Sequence, residues 1–430
     1  MAQRAWTPPD ETSRVTLELL QQLLGDYHPR DFAIELWDGT HLPPDPSQFC
    51  RFTWKINDSA ALRKAIARPS ELALGEAYIY GQFDIEGDIR AAFPLAEFLF
   101  NKHWGVAEKL RLGNKLLHLP SKPAPHGAEP DLHGAVHSRK RDREAVTFHY
   151  DVSNDFYALW LDRNMVYSCA YFETPDDDLE AAQRQKVDYI CRKLRLKAGE
   201  RLLDLGCGWG ALILHAAREY GVHALGITLS ERQLEFAQRR IQQSGLAGLC
   251  EVRLLDYRDL DQNDAFDKLV SVGMVEHVGE SRLAAYFERA YRVLKPGGVF
   301  LNHGIGRAGN RPASEELTFT DVYVFPDGEL VPISTMLERA EEAGFEVRHV
   351  ENLREHYVMT LNCWLNRLEA RADEARRLTD DVKYRIWRLY LAGSAYYFKT
   401  GKLHLYQSLL VKSQGGPSGL PLTRADWYRD

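Results

Sequence analysis

Three glycines alternate in Leu203-Asp204-Leu205-Gly206-Cys207-Gly208-Trp209-Gly210, directly after a run that reads as a short buried strand. Glycines at the carboxyl end of a first strand let a ligand approach the backbone closely, as a nucleotide-like cofactor must. The spacing is G-x-G-x-G, not the G-x-G-x-x-G of a dinucleotide site. The next strand ends in Gly226-Ile227-Thr228-Leu229-Ser230. Hydroxyls therefore stand where a nicotinamide-dependent enzyme offers a carboxylate to the ribose. Both departures point away from a dehydrogenase. The six cysteines (Cys50, Cys169, Cys191, Cys207, Cys250, Cys363) form no C-x-x-C pair. A zinc knuckle or disulfide framework is not expected, and a reducing cytoplasm fits.

The elements that hold these residues alternate in type. Arg201–Leu205 reads as a strand, Ala211–Tyr220 as a helix with apolar residues at helical spacing, and Val222–Leu229 as the next strand. Ser230 is a natural N-cap for a helix over Glu231–Gln243. Strands are expected at Cys250–Leu255, Lys268–Val272 and Val299–His303. A helix over Arg282–Leu294 is expected to stop at Lys295-Pro296-Gly297-Gly298. This alternation predicts a parallel doubly wound sheet, with ligands at the carboxyl ends of its strands. The earlier part is less patterned. Phe32–Trp37 and Phe49–Ile56 read as strands, Ala60–Ala67 as a short helix, Leu72–Ile89 as an apolar, glycine-punctuated stretch, and Asp88–Lys102 as helical. The Pro-, Gly- and charge-rich stretch His118–Arg143 reads as a linker. The expected organisation is an N-terminal α/β domain over 1–117, a linker over 118–143 and a catalytic domain over 144–430.

The motifs LDLGCGWG, GITLSERQ, DYRDL, SVGMVEHVG and LKPGG, in this order, resemble the cyclopropane fatty acid synthase family. That family includes bacterial phospholipid enzymes and mycobacterial mycolic acid cyclopropane synthases. The similarity continues upstream in HYDVSNDFYALWLD and MVYSCAYF, and downstream in LNHGIG, VFPDGELVP and LREHYVMTL, from roughly Thr147 to Lys412. LALGEAYIYGQFD resembles the N-terminal domain of the longer, phospholipid-acting members. YSCAYF together with MVEHVG is specific, whereas the glycine motif alone marks methyltransferases in general. The resemblance implies a Rossmann-like class I methyltransferase domain dependent on S-adenosylmethionine, a parallel sheet with an antiparallel last strand, behind a smaller α/β domain. It implies transfer of a methylene group to the cis double bond of an acyl chain in phospholipid. The same chemistry diverted gives a methyl-branched, methylene or furan-precursor product.

The resemblance also assigns residues. Gly206 and Gly208 would lie against the amino acid part of the cofactor, and Thr228 and Gln233 would reach its ribose. Tyr257 and Arg258 would flank the adenine, although the family commonly has other residue types there. Tyr167 and Ser168 would close the site. An alkene that attacks a sulfonium methyl leaves a carbocation. Ring closure then needs an anionic base, aromatic faces toward the positive charge, and exclusion of water. A protein carboxylate risks being alkylated itself, which a bound bicarbonate avoids. Cys169, Glu276, His303, the backbone of Ile305 and Tyr357 match the family's bicarbonate positions. Taken singly, Cys169 reads as a buried small hydrophobe and Tyr357 as a core aromatic. Their joint occurrence in the motifs is what assigns them chemistry. In the family an acidic residue supports this tyrosine, and Glu351 and Glu355 are the nearby acids. Tyr150, Phe156, Tyr157, Trp160, Tyr171 and Phe172 are expected in the cap over the site.

At 430 residues, with 45% hydrophobic and 27% charged residues, the chain reads as two globular domains. Its net charge of −7 argues against a general nucleic-acid binder. The N-terminus shows no secretory pattern and no run of 18 apolar residues appears, so a cytoplasmic protein that visits the inner face of the membrane peripherally is expected. Arg139-Lys140-Arg141 with Arg143 reads first as solvated linker charge, and alternatively as a contact for anionic headgroups. The N-terminal domain is expected to serve lipid docking or homodimer formation.

Overall fold

The computed structural model describes residues 11–60, 70–102, 105, 115–116, 127–150, 152–310, 317–413 and 415–428. It forms two compact units. One comprises Met1–Glu129 with Glu315–Tyr323 and Asp380–Gly393; the other comprises Pro130–Ser314, Val324–Thr379 and Ser394–Asp430. Two segments far along the chain thus join the N-terminal unit, which a boundary drawn along the sequence does not anticipate. For Asp380–Gly393 the reason is visible in its bonds. Arg388 donates to Tyr78 Oη at 2.8 Å and to the carbonyls of Ile85 and Gly87 at 3.1 and 3.2 Å. Arg385 pairs with Asp84 at 2.7 Å.

The first unit contains a four-stranded sheet in the order β2-β1-β3-β4, from β1 (Phe32–Glu35), β2 (His41–Leu42), β3 (Phe52–Ile56) and β4 (Phe83–Gly87). The strand expected over Phe32–Trp37 stops early, because Leu36 and Thr40 close a tight turn. In β3, Phe52, Trp54 and Ile56 alternate inward, as a half-buried strand requires. Helix α1 (Glu11–Leu24) buries Leu19, Leu20, Leu23 and Leu24. The stretch Leu72–Ile89 resolves into helix α2 (Glu71–Ile79), capped by the Ser70 side chain, and then β4. The expected helix over Asp88–Lys102 is a 3₁₀ turn at Ile89–Ala92 followed by α3 (Phe93–Asn101). The helix expected over Ala60–Ala67 lies, beyond Ala60, outside the described residues, as do residues 118–126 of the expected linker. The end of that stretch is not a linker, for Arg139–Tyr150 is helix α4.

The second unit is built on seven strands in the order β10-β11-β9-β8-β5-β6-β7. They are β5 (Arg201–Leu205), β6 (His223–Thr228), β7 (Cys250–Leu254), β8 (Phe266–Val272), β9 (Leu294–Arg307), β10 (Glu346–Asn352) and β11 (Leu403–Val411). β5 to β9 pair in parallel, and β11, the last strand in the chain, runs antiparallel between β9 and β10. Helices α5 (Asn154–Ala158), α6 (Leu179–Leu194), α7 (Ala211–Tyr220), α8 (Glu231–Gln243) and α9 (Leu283–Val293) accompany the strands. Ser230 caps α8 by accepting from Gln233 N at 3.3 Å. One boundary differs from expectation. Lys295–Gly298 do not separate helix from strand; β9 already begins at Leu294, opposite Phe266, and these residues form an irregularity before Val299 pairs with Lys268.

Apolar side chains cover both faces of this sheet. Gly226 in β6 is closely packed, since an added Cβ would fall 2.6 Å from Cys207 Sγ in the glycine turn. Gly226→Ala is expected to lower stability by about 1–3 kcal/mol through overpacking. Gly248→Ala, with nothing within 4 Å of an added Cβ, is expected to leave it unchanged. Urea denaturation midpoints of the two variants check this.

Candidate functional site

β5 ends at Leu205, and the chain turns through Gly206 (φ +82°) and Gly208 (φ +53°), a backbone region that a side chain resists. The N–H groups of Gly206 and Cys207 both donate to Ile227 O, at 3.0 and 2.9 Å, which draws the turn against the end of β6. A Cβ at Gly208 would meet nothing within 4 Å, so that side is open. It faces a cavity at the carboxyl edge of the sheet. Tyr167, Ser168, Gly206, Gly208, Thr228, Gln233, Tyr257 and Arg258 all line it. Thr228 Oγ1 donates to Gln233 Oε1 at 2.7 Å, which orients that amide. Arg258 is gripped by both oxygens of Asp256, at 2.9 and 2.6 Å, and by Asp142 at 2.9 Å. Its charge is thereby matched within the wall.

Sequence reasoning missed several residues of this cavity. Lys186, Asp204, Asp256 and His277 also line it. Lys186 Nζ donates to Ser168 Oγ at 2.8 Å, and burial pulls its pKa down to about 8 against the attraction of Cys169, Asp162 and Asp204. Burial raises the Asp204 carboxyl to about 7, with Lys186 opposing, and Asp204 Oδ1 has no hydrogen-bond partner among the described residues. Burial also pushes His277 down to about 4, so its ring is neutral. A signal existed for Lys186. On α6 the polar residues Gln183, Lys186 and Lys193 occupy the stripe that also buries Leu179, Ala182, Val187, Ile190 and Leu194. Polar residues at core positions of an amphipathic helix mark a built polar site.

Two of the five residues matched to the anion site adjoin residues that line the cavity. Cys169 follows Tyr167-Ser168, and Glu276 precedes His277. Ile305 N donates to Glu276 Oε1 at 2.7 Å, so these two are in direct contact. Ile305's N–H is committed to that carboxylate. Glu276 Oε2 is buried with no partner among the described residues, and burial lifts the acid to about 7 against the Ile305 bond. His303 is buried on β9, and its Nε2 likewise has no partner among the described residues. The Cys169 thiol lies 3.2 Å from Ala170 O and 3.9 Å from Leu353 O, and burial raises its pKa, which keeps it an S–H. Leu353 O also accepts from Tyr357 N at 3.2 Å, which brings Cys169 and the buried Tyr357 to the same turn. Of the two acids expected near Tyr357, Glu351 is held by Lys193 and Tyr189, and Glu355 by Arg354.

The aromatic residues divide. Tyr150 lines the cavity, and Tyr157 packs on Trp209 at 5.1 Å and on Tyr167 at 5.6 Å. Trp160 meets Tyr167 at 5.5 Å, with Phe156 packed behind it at 6.3 Å. Tyr171 instead stacks on His356 at 4.7 Å, and the Phe172 N–H donates to His356 Nδ1. The basic run on α4 is largely paired. Arg139 meets Asp259 at 2.7 Å, Lys140 meets Glu144 at 3.7 Å, and Arg141 holds Asp327 through two bonds of 2.6 and 2.9 Å. No helix among the described residues is long and apolar enough to cross a membrane.

The profile of the mycolic acid cyclopropane synthetase family matches residues 137–408, and that of a domain of unknown function matches 19–99. A Pseudomonas putida protein named a probable fatty acid methyltransferase is 42% identical over 407 residues, covering 92% of this chain and 96% of its own. The solved cyclopropane synthase MmaA2 from Mycobacterium tuberculosis is 34% identical, with a TM-score of 0.60 over 62% of this chain and 97% of that one. The mycolic acid cyclopropane synthase CmaA1, solved with SAH and CTAB, is 35% identical with a TM-score of 0.59, over the same shares.

The buried acid has a consequence for stability. Glu276 has a higher pKa folded than unfolded, so the stability it confers is complete below its ordinary 4.5 and is lost as pH rises through about 7. Glu276→Gln keeps the acceptor for Ile305 and removes that loss. It is expected to be more stable than the parent at pH 8, by up to about 3 kcal/mol, and equal to it near pH 4. Urea unfolding across this range checks the sign.

Proposed function

The chain belongs to the mycolic acid cyclopropane synthetase family, and on that premise we propose that it adds one carbon to the cis double bond of an unsaturated acyl chain in phospholipid, closing a cyclopropane. It is an S-adenosylmethionine-dependent methyltransferase that acts on fatty acids. The cofactor, when bound, supplies an electrophilic methyl group. The cavity fits it: the open side of Gly208 admits the amino acid part, and Lys186 offers a cation to its carboxylate. Thr228 and Gln233 offer polar groups to the ribose, and Tyr257 an aromatic face beside the adenine.

The observation that carries the reading is the pair of unpartnered buried atoms, Glu276 Oε2 and His303 Nε2. Leaving two such groups dry costs about 1–3 kcal/mol each. A methyltransferase acting on an amine or hydroxyl can use one such group as a general base; a carboxylate and a histidine N–H together with the Cys169 S–H and the Tyr357 O–H are the set that suits an anion held beside a carbocation. Bicarbonate matches the donor set. Its hydroxyl can donate to Glu276, and its oxygens can accept from Cys169 S–H, Tyr357 O–H and a His303 N–H. These residues would hold an external base, while the Ile305 N–H fixes the Glu276 carboxylate. The aromatic rings of Tyr150, Tyr157 and Tyr167 keep water from the positive charge. Access to the substrate requires peripheral contact with the inner face of the membrane. The basic run Arg139–Arg143 remains a candidate for that contact, since Arg139 and Lys140 are 61% and 73% exposed even though each has a carboxylate partner. Lipid docking, or homodimer formation, is the part proposed for the N-terminal unit.

A second reading keeps the same cation but retains the methyl group as a branch. It is favoured by the Pseudomonas putida relative, which matches nearly the whole chain and is named a fatty acid methyltransferase rather than a cyclopropane synthase.

Gas chromatography–mass spectrometry of unsaturated phospholipid vesicles incubated with the protein and cofactor separates the outcomes. A gain of one CH₂ with no remaining unsaturation is expected, and retained unsaturation would favour the branched product. Methylation confined to polar small molecules would remove the lipid assignment. Glu276→Ala and Cys169→Ala are each expected to lower turnover about 100-fold or more while leaving cofactor affinity within about threefold. Calorimetric titration beside turnover checks this, and equal losses in both would make these residues structural.

A further inference from the structure

Three strands place three polar side chains in one row. Glu351 on β10 is opposite Gln407 on β11, and Gln407 is opposite His303 on β9. Residues directly opposite on antiparallel strands share a face. Lys193 of α6 reaches this row, donating to Glu351 and, at 2.7 Å, to Gln407 Oε1, with its ammonium 4.3 Å from the Tyr189 ring centre. The other end of the amide meets His303, with Gln407 Nε2 3.1 Å from Nδ1. Lys193, Gln407 and His303 are each only 1% exposed, so water does not compete for these bonds.

The donors and acceptors admit one arrangement. An ammonium only donates, so the amide oxygen of Gln407 must face Lys193 and its NH₂ must face His303. An NH₂ only donates, so His303 Nδ1 must accept and carries no proton. Burial pushes the His303 pKa well below its ordinary value, with Lys186 and Lys193 adding to the effect, so the ring is neutral. Its one proton is therefore on Nε2, the buried atom with no partner among the described residues.

We propose that Lys193 and Gln407 are positioning residues that lock His303 as the Nε2–H tautomer, so that the site presents a neutral N–H donor to the bound anion. The consequence for catalysis rests on the reading of Glu276, His303 and Ile305 as the anion site; the tautomer itself does not. Glu351 holds Lys193 in place from the outer side.

The test is ¹⁵N-histidine NMR of the full-length protein, with the His303 signals identified by their loss in His303→Asn. The parent is expected to show a protonated Nε2 and a bare Nδ1 from pH 6 to pH 8. Gln407→Glu is near-isosteric and presents only acceptors, so the proton should move to Nδ1. Turnover should then fall by about tenfold or more, with the KM for the cofactor unchanged. Lys193→Met frees the amide to turn and should give a mixture of tautomers, whereas Lys193→Arg keeps the donor and should preserve the parent spectrum. A protonated Nδ1 in the parent would overturn the proposal. So would a Gln407→Glu protein whose tautomer is unchanged, or whose tautomer switches with turnover intact. If the spectra behave as expected but the parent modifies no lipid, the locked tautomer stands and the lipid reading falls.

Discussion

The 2.7 Å bond from Ile305 N to Glu276 Oε1 ties the loop after β8 to the end of β9. The proposed anion site is built around that tie. It holds a carboxyl group in a dry position that the group, left alone, would escape by turning to solvent. One oxygen is satisfied by backbone and the other is not, and burial keeps the acid's pKa near 7. A group poised near neutrality can hold or release a proton without a large free-energy change. The same desolvation lowers the pKa of His277 and His303 and raises that of Asp204. These four groups are therefore each held away from water.

Stability is given up in such an environment, and the fold compensates around it. Seven strands with apolar cover on both faces supply a rigid frame. Charges that must be buried are matched locally: Lys193 by Glu351 and Gln407, and Arg258 by Asp256 and Asp142. Unmatched buried atoms occur in many parts of the fold, and Asp204 Oδ1, Glu276 Oε2 and His303 Nε2 are the ones that fall where chemistry is proposed.

Much of this was legible in the chain itself. The β5 and α8 boundaries, the Ser230 cap and the glycine turn follow from short-range rules, because local steric and capping preferences decide them. The cofactor residues could be named only from the family motifs: Gly206 and Gly208 follow β5, but Thr228 ends β6, Gln233 lies in the first turn of α8, and Tyr167 and Ser168 precede α6. Residues whose role arises from cross-strand register were not legible. Gln407 gains its meaning only when β11 inserts between β9 and β10, and Lys193 only when α6 lies over that row. The N-terminal unit's return segments were hidden for the same reason, since Arg385 and Arg388 reach partners some 300 positions earlier in the chain.

The central claim is that a proton leaves the transferred carbon in this dry pocket. The most direct measurement uses cofactor bearing a trideuterated methyl group and counts the deuterium in the lipid product by mass spectrometry. The account predicts two deuterium atoms on the added carbon, the third having been lost as the ring closes. Retention of all three would contradict it, because the carbon would then have been delivered as an intact methyl group.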